Sequence, residues 1–309
     1  MKRKTTRPRG FVGTWQPRGN RAHLLTDAMA VLADLKAEHL PPPSVRRILY
    51  ILMGMDPARY SRPEPYDKGQ YKELCEVVAL GRRAGLIPMD EIDEWGVSES
   101  PETWWASVDE LRDTVRHWCQ DFQLDRQTGQ SLRLACWCEA EGMHGQLRQE
   151  CDPYSIRVYS SGRTDGLAVK HRLGRMIGLS GMPWVVLHVG DADADGWHTY
   201  LALRQDLKAF AKHYGTGRVT VTRLAANQGQ IERWGLYREP YVPPERAANR
   251  RYYPFRWVTQ AEAIHPRDMR RLLVRAIERR LDMEVYREVL EAERTAMAAL
   301  ERVTAALAA

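Results

Sequence analysis

The chain has 309 residues, 44% of them hydrophobic, which is enough for two domains with buried cores. Its five cysteines lack paired C-x-x-C spacing, which argues against a zinc or disulfide framework and favours a reduced protein. We find no signal peptide and no apolar run long enough to span a membrane. We therefore expect a cytoplasmic or nucleoid-associated protein with no membrane partner.

The net charge of +6 is concentrated at the start of the chain. Residues 1–21 form a basic arm in which seven Lys and Arg residues precede the first acid, Asp27. Such an arm suits a polyanion, and we expect it to be disordered without one. A solubilising tail is the alternative interpretation.

Residues 22–95 have the pattern of a small helical domain. Apolar residues at helical spacing predict three helices, over 21–39, 45–53 and 71–84. Ser44 stands where the second helix needs an N-cap, and residues 86–95 predict a short wing or turn. This order is typical of a winged helix-turn-helix DNA-binding domain, with an ordinary helical subdomain as the alternative.

The rest of the chain predicts an α/β domain. Residues 96–130 hold a predicted linker, 96–102, and a helix. Strands are then expected over 132–138, 156–159, 184–189 and 218–222, with helices over 142–149, 166–177 and 197–214. This alternation predicts a mostly parallel sheet covered on both faces within 131–309, followed from residue 266 by long C-terminal helices.

The stretch 183–196, PWVVLHVGDADADG, combines a buried strand with three acids. Its apolar run ends at a glycine, and Asp191, Asp193 and Asp195 follow at alternate positions. Carboxylates at the C-terminal end of a parallel strand lie where open α/β sheets bind ligands, so we expect a divalent cation. The alternative is a solvated turn that caps the next helix, a role suited above all to Asp195.

The same acids also resemble the start of a calcium-binding EF-hand loop. That loop requires a glutamate at its twelfth position, which here is Ala202 when counted from Asp191. A strand rather than a helix also precedes the acids. The EF-hand interpretation is therefore excluded.

A further acid, Glu139, follows the first predicted strand of the α/β domain. Acids at the ends of two parallel strands can converge on one edge of the sheet. Glu139, Asp191 and Asp193 would then form an oxygen-only site suited to Mg²⁺. Such an ion could stabilise charge on a phosphoryl group and on its leaving oxygen.

These motifs resemble a Toprim domain, the metal-binding fold of topoisomerases, primases and some nucleases. More narrowly, D-A-D-A-D-G at 191–196 is similar to the D-x-D-P-x-G of the topoisomerase VI A subunit and of related meiotic double-strand-break proteins. Residues 44–50, SVRRILY, resemble that family's winged-helix motif T-x-R-x-[IL]-[FY]-Y, whose last tyrosine attacks DNA. The resemblance spans residues 40–290 in order, and the chain's size resembles short A-subunit homologues of bacterial mobile elements.

The resemblance implies Mg²⁺-dependent DNA cleavage in which Tyr50 attacks a phosphate and forms a 5′-phosphotyrosyl link. Arg46 precedes Tyr50 by one helical turn and would favour the phenolate and grip the phosphate. Glu139, Asp191 and Asp193 would hold the metal, or Glu139 would serve as acid/base for the 3′-oxygen. In this family the tyrosine of one subunit meets the Toprim site of its partner, which implies a homodimer.

The chain departs from the family pattern beside the acids. The basic residue after the strand-end glutamate is Ala140, and the proline of D-x-D-P is Ala194. Neither change removes a metal ligand. Contacts to the phosphates of double-stranded DNA are expected from a basic set that could also be simply solvated: Arg47, Arg82, Arg83, Arg250 and Arg251.

Two other functions fit the same residues. A Toprim nuclease would cut DNA with metal-activated water, leaving Tyr50 structural, and a non-catalytic DNA-binding subunit would keep the fold as a scaffold. The sequence has no P-loop G-x-x-x-x-G-K-[ST]. Strand passage coupled to ATP would therefore need a separate ATPase subunit.

Overall fold

The computed structural model describes residues 12, 14–60, 68–93, 104–160, 166–243 and 253–306. They form an α/β protein, about 60% helical, with a four-stranded parallel sheet. The helices are α1 (Asn20–Ala37), α2 (Val45–Met55), α3 (Pro57–Tyr60), α4 (Lys68–Arg83), α5 (Val108–Gln120), α6 (His144–Cys151), α7 (Leu167–Ser180), α8 (Ala194–Tyr214), α9 (Gln228–Arg233), α10 (Pro266–Glu278) and α11 (Met283–Ala306). The strands are β1 (Arg133–Cys138), β2 (Arg157–Ser160), β3 (Pro183–Val189), β4 (Arg218–Ala225), β5 (Glu239–Pro240) and β6 (Trp257–Val258).

The main sheet confirms the predicted parallel arrangement. Its four strands run in the order β2-β1-β3-β4, and every neighbouring pair is parallel. The chain leaves β1 toward β2 on one side and then returns past β1 to place β3 on the other. The order therefore reverses between β1 and β3, which is where open α/β sheets form a crevice beyond the carboxyl ends of their strands.

Both faces of this sheet are covered, as a parallel sheet requires. Because side chains alternate along a strand, Cys136 packs toward α6 and α10, whereas its neighbours Ala135 and Trp137 pack toward α7 and α8. Burying one apolar side chain fully stabilises the folded state by about 1.5–3 kcal/mol. The helices on the two faces therefore hold the sheet in place. The long C-terminal helices expected from residue 266 are α10 and α11.

A third buried cluster lies among α1, α2 and α4. Ser44 caps α2 as predicted, since its Oγ accepts a hydrogen bond from the Arg47 N–H at 3.2 Å. Such a cap stabilises a helix by about 1 kcal/mol. Ile48 and Leu52 are buried on α2 and Leu74 on α4, which explains why helical spacing located these elements.

Of the short wing or turn predicted over 86–95, the described part is a turn and not an extended wing. Residues Met89–Glu91 form a 3-10 turn, and within 14–60 and 68–93 every regular element is helical. Ile87 and Ile92 are both drawn into the N-terminal cluster, and Pro88 between them has no N–H for a strand ladder. The apolar residues Ile87 and Ile92 are therefore buried in the N-terminal cluster and do not form a paired strand.

Two predicted segments lie largely outside the described residues, namely the linker over 96–102 and most of the basic arm over 1–21. Of the arm, residues 12 and 14–21 are described, and its last two residues already belong to α1. No described helix combines the length and the apolar composition needed to cross a bilayer.

Candidate functional site

Glu139 and Asp191 lie on either side of the crevice between β1 and β3. Glu139 directly follows β1, and its N–H donates to the carbonyl oxygen of Val189, the last residue of β3, at 3.0 Å. This bond keeps the two strand ends side by side. The sheet therefore brings both acids to one edge.

The Asp191 carboxyl is held by the chain that follows β6. Its Oδ1 accepts a hydrogen bond from the Ala261 N–H at 2.8 Å. Burial, together with the nearby Asp193 and Glu139, raises the pKa of Asp191 to about 8, against the lowering effect of that hydrogen bond. Without a neighbouring cation this carboxyl is thus largely protonated at neutral pH.

The second acid, Glu139, has an enclosed oxygen without a partner. Its Oε2 is buried and accepts no hydrogen bond. Burial also raises the pKa of Glu139, and Asp193 adds to that rise, while Arg223 opposes it. A Cβ on Gly190 would lie only 2.4 Å from this oxygen, so residue 190 must be glycine for the loop to pass. A buried acceptor left unpaired is costly, and a cation would satisfy it.

Asp193 caps the helix that follows the acidic loop. Its Oδ1 accepts from the Gly196 N–H at 2.7 Å, and Gln260 Nε2 donates to its Oδ2 at 3.4 Å. The capping role expected above all of Asp195 therefore belongs to Asp193. Asp195 is exposed in the first turn of α8, where a negative charge favours the helix dipole.

The acidic edge offers the carboxyl groups of Glu139 and Asp191 rather than a complete set of metal ligands. Among the described residues, no three His, Cys, Asp or Glu side chains are placed to hold one metal ion. Mg²⁺ is commonly bound through one or two carboxylates, with water and phosphate oxygens completing the shell. The unpaired Oε2 of Glu139 and the buried carboxyl of Asp191 fit this requirement, and Asp193 would have to leave its cap to join them.

The chain matches no protein-family model, no curated protein and no solved structure. What the edge can do therefore follows from its acids and from the two groups beside them. One of these groups is a buried cation on β4, and the other is α2.

Arg223, near the end of β4, was missed by the sequence analysis. It lies in register with His188 of β3, and its guanidinium donates to the carbonyl oxygens of Gly190, at 3.2 Å, and of Asp191. Burial lowers the pKa of Arg223, while Glu139 and the other acids oppose that change. Arg223 thus holds the acidic loop by its backbone and places a positive charge beneath it.

The helix α2 lies beside the same edge. It packs on the 3-10 turn Ala261–Ala263, the segment whose first N–H binds Asp191. A Cβ on Gly142, three residues after Glu139, would lie 2.9 Å from the Oγ of Ser44 and 2.5 Å from Oε1 of Glu262. The start of α2, the turn after β1 and the 3-10 turn therefore meet closely.

Arg46 connects α2 with the acids. Its Nε lies 3.9 Å from Oε2 of Glu262, a buried residue that the sequence analysis assigned no role. Burial lowers the pKa of Arg46, but Glu262, Tyr71, Tyr50 and Asp191 together raise it by more. Tyr50 is 8% exposed and belongs to the N-terminal cluster. The structure thus brings Arg46 within electrostatic reach of both the tyrosine and Asp191.

The predicted DNA-binding arginines differ in what they contact. Arg47 is 2% exposed and donates to the Ile264 carbonyl at 3.2 Å, so its guanidinium is bound inside the protein and its contact with DNA stays a prediction. Arg82 donates to a carbonyl of the following 3-10 turn, and Arg83 lies partly exposed beside it. The other two, Arg250 and Arg251, lie outside the described residues.

Proposed function

We propose that this protein is a Mg²⁺-dependent DNA-cleaving enzyme in which Tyr50 attacks the DNA backbone, as in the topoisomerase VI A subunit that it resembles. One observation carries the proposal: α2, which bears Arg46 and Tyr50, packs on the segment that binds Asp191. Buried acids alone suit many metal enzymes. A helix with a tyrosine and an arginine beside them favours transfer of a phosphoryl group to tyrosine.

The proposed architecture is a helical DNA-binding N-terminal domain, without an extended wing in its described residues, followed by a Toprim-type domain. The four-stranded parallel sheet and the acids at its switch point support the second part of this assignment. The proposed partners are double-stranded DNA, a second copy of the chain and, for ATP-coupled strand passage, a separate ATPase subunit.

In the proposed reaction the phenol of Tyr50 loses its proton to water, and its oxygen bonds to phosphorus. The bond from phosphorus to the 3′-oxygen breaks, which leaves a 5′-phosphotyrosyl link and a 3′-hydroxyl. Arg46 favours the phenolate and grips a non-bridging phosphate oxygen. As an alternative to holding the metal, Glu139, whose pKa is raised by burial, is suited to give the departing oxygen its proton.

Glu139 and Asp191 would hold Mg²⁺, with Asp193 adjacent. When bound, the ion supplies positive charge to the phosphoryl group and to the leaving oxygen. Arg223 keeps the acidic loop in place through its hydrogen bonds to the loop carbonyls.

A metal-dependent nuclease is the second candidate, and the burial of Tyr50 favours it. At 8% exposure the phenol can meet a scissile phosphate only after the surroundings of α2 rearrange, whereas activated water needs no such change. In the tyrosine mechanism, we expect DNA binding to drive this rearrangement.

Cleavage of supercoiled plasmid with Mg²⁺, stopped by denaturant, tests the proposal. Wild-type protein is expected to become covalently attached to DNA 5′ ends, and Tyr50→Phe to lose both attachment and cleavage. Tyr71→Phe is the matched control, because Tyr71 also lies near Arg46, with the guanidinium carbon 5.8 Å from its ring centre. Equal cutting by Tyr50→Phe, with free ends, would establish the nuclease instead. No cutting by any variant would leave the scaffold function.

Mixing two inactive variants shows whether Tyr50 acts with the acids of its own chain or with those of a partner chain. If each tyrosine works on the partner's acids, as the resemblance implies, then Tyr50→Phe mixed with Glu139→Gln regains part of the cleavage. If each chain uses its own acids, as the packing of α2 on Ala261–Ala263 favours, the mixture stays inactive.

A further inference from the structure

Helix α5 and the residues just before it carry large apolar side chains that the described residues leave exposed. None of the residues of α5 is buried. Four residues in and just before this helix are largely exposed, and we call them the tryptophan patch: Trp104 (71%), Trp105 (39%), Val108 (67%) and Trp118 (60%).

The patch is ordered by contacts within the helix. Trp105 Nε1 donates to Oγ1 of Thr114 at 3.1 Å, and the rings of Trp105 and Trp118 meet edge to face with centres 6.4 Å apart. Ser107 caps the helix by accepting from the Glu110 N–H at 3.1 Å. Side chains held in place before binding lose little entropy when a partner covers them.

Helix α5 also packs against another helix, α11. Just beyond the end of α5, Arg126 forms an ion pair with Glu293 of α11 at 2.6 Å. Both side chains of this pair are nearly buried, and the Leu124 N–H also donates to Glu293 at 2.9 Å. The patch therefore lies on and beside a helix that packs against α11.

The exposed area agrees with burial against a second copy of this chain. A tryptophan buries at most about 250 Å², so the exposed fractions correspond to about 300–500 Å² of apolar surface per chain. Monomeric proteins rarely expose contiguous apolar patches beyond a few hundred Å². Two facing patches would bury about 600–1,000 Å², and their rims would bring the total to the roughly 1,000 Å² of a specific interface.

The charges on α5 disfavour nucleic acid as the occupant. Arg112 pairs with Asp109 at 3.0 Å and Arg116 pairs with Asp113 at 2.6 Å, so these basic side chains are neutralised within the helix. Exposed aromatics that stack on bases normally lie in a positively charged groove. We propose that the tryptophan patch is the surface through which two copies of this chain associate, an assignment that does not depend on the proposed cleavage activity.

Sedimentation equilibrium of the full chain at several concentrations tests the proposal. Wild-type protein is expected to approach twice the chain mass of 35.6 kDa, with the mass falling on dilution. Trp104→Ser combined with Trp118→Ser is expected to raise the dissociation constant at least about 30-fold per tryptophan, as loss of a central aromatic does. Leu179→Ser is the matched control, because Leu179 is 63% exposed on α7 and lies outside the patch.

Circular dichroism and thermal unfolding check that the double variant is folded, and Trp118→Gln alone carries the test if it is not. A wild-type protein that stays monomeric up to about 100 µM overturns the proposal, since standard interfaces reach micromolar affinity or better. A dimer that the tryptophan changes leave intact overturns it equally. Tryptophan quenching by single-stranded DNA in a monomeric protein would identify nucleic acid as the occupant instead.

Discussion

The Ala261 N–H donates a hydrogen bond of 2.8 Å to Asp191 Oδ1, and this contact joins the acidic edge of the sheet to the segment on which α2 rests. A carboxylate accepts such a bond more strongly than a neutral carboxyl does. The ionisation of Asp191 is therefore coupled to the position of the helix that bears Arg46 and Tyr50. A cation at the edge would strengthen the contact by keeping Asp191 charged.

The raised pKa of Asp191 predicts a pH-dependent stability. Between its ordinary value of 3.8 and the folded value of about 8, the folded state holds one proton that the unfolded state has lost. In the metal-free protein, the free energy of unfolding should therefore fall as pH rises from about 4 to about 8. Asp191→Asn should reduce this fall, to which Glu139 and Glu262 also contribute because burial raises their pKa values, and should exceed wild type at pH 9 by at least about 1 kcal/mol.

Urea unfolding at pH 5, 7 and 9, with and without Mg²⁺, measures this prediction. Mg²⁺ should stabilise the wild-type protein most at high pH and leave Asp191→Asn much less affected, because the variant lacks the charge that the ion requires. Asp195→Asn, an exposed neighbour, should keep the wild-type response to Mg²⁺. A wild-type stability that does not fall with pH would contradict the assigned cause.

The α/β class and the edge that carries the acids could be predicted from the sequence because strand patterns and strand-end acids are local signals. Arg223 could have been found the same way, since it lies two residues beyond the buried Val221 on the same face of β4. Glu262 could not, because its neighbours Arg46 and Gly142 are more than a hundred residues away in the chain. Only the packing of α2 brings these residues together.

Replacing Arg223 should destabilise the protein more strongly at high pH. Arg223→Met removes the hydrogen bonds to the Gly190 and Asp191 carbonyl groups and the cation beside the acids. We expect a loss of about 2–4 kcal/mol at pH 8 and a smaller loss at pH 5, where Asp191 is protonated. Arg204→Met, at an exposed position on α8, should change stability by less than about 0.5 kcal/mol.

Urea unfolding of both variants at the two pH values gives these numbers. Mg²⁺ should recover part of the loss in Arg223→Met at pH 8, because the ion replaces the missing positive charge. A loss of the same size at pH 5 and pH 8 would mean that Arg223 acts through its hydrogen bonds alone.

Gly190→Ala should distort the site where the loop passes Glu139. The added Cβ would lie 2.4 Å from Glu139 Oε2 and 2.6 Å from His188 Cε1, and the imidazole is fully buried with little room to move. We expect a loss of about 1–3 kcal/mol in stability and weaker binding of Mg²⁺ by calorimetry. Gly229→Ala is the control, since nothing lies within 4 Å of its added Cβ and alanine favours the helix. Equal stability of the two variants would show that the loop at residue 190 relaxes freely.

The two adjacent arginines of α2 show how one residue of helical rotation separates different roles. Sequence reasoning treated Arg47 as a DNA contact because it lies in a basic motif, but burial lowers its pKa to about 10 and its guanidinium binds the Ile264 carbonyl. Arg46, one position earlier, has a side chain that is 44% exposed and faces Glu262. The sequence SVRRILY places both arginines on the helix. Only their contacts distinguish them, with Glu262 for Arg46 and with the Ile264 carbonyl for Arg47.

Exchanging each of these arginines for methionine should therefore separate cleavage from stability. Arg46→Met should change the free energy of unfolding by less than about 1 kcal/mol, because its ion pair is long and partly exposed. It should lower plasmid cleavage at least about 100-fold if the guanidinium stabilises the attacked phosphate. Arg47→Met should lose about 1–3 kcal/mol, since it leaves the Ile264 carbonyl without the donor that this enclosed guanidinium supplies.

The measurements are urea unfolding and single-turnover cleavage of the same preparations at a temperature where Arg47→Met is still folded. Under those conditions Arg47→Met should keep most of its cleavage rate, because its guanidinium is buried away from DNA. The opposite pattern, with full cleavage by the folded Arg46→Met protein and none by the folded Arg47→Met protein, would remove Arg46 from the site. It would also mean that α2 turns its other face to DNA when the strand is bound.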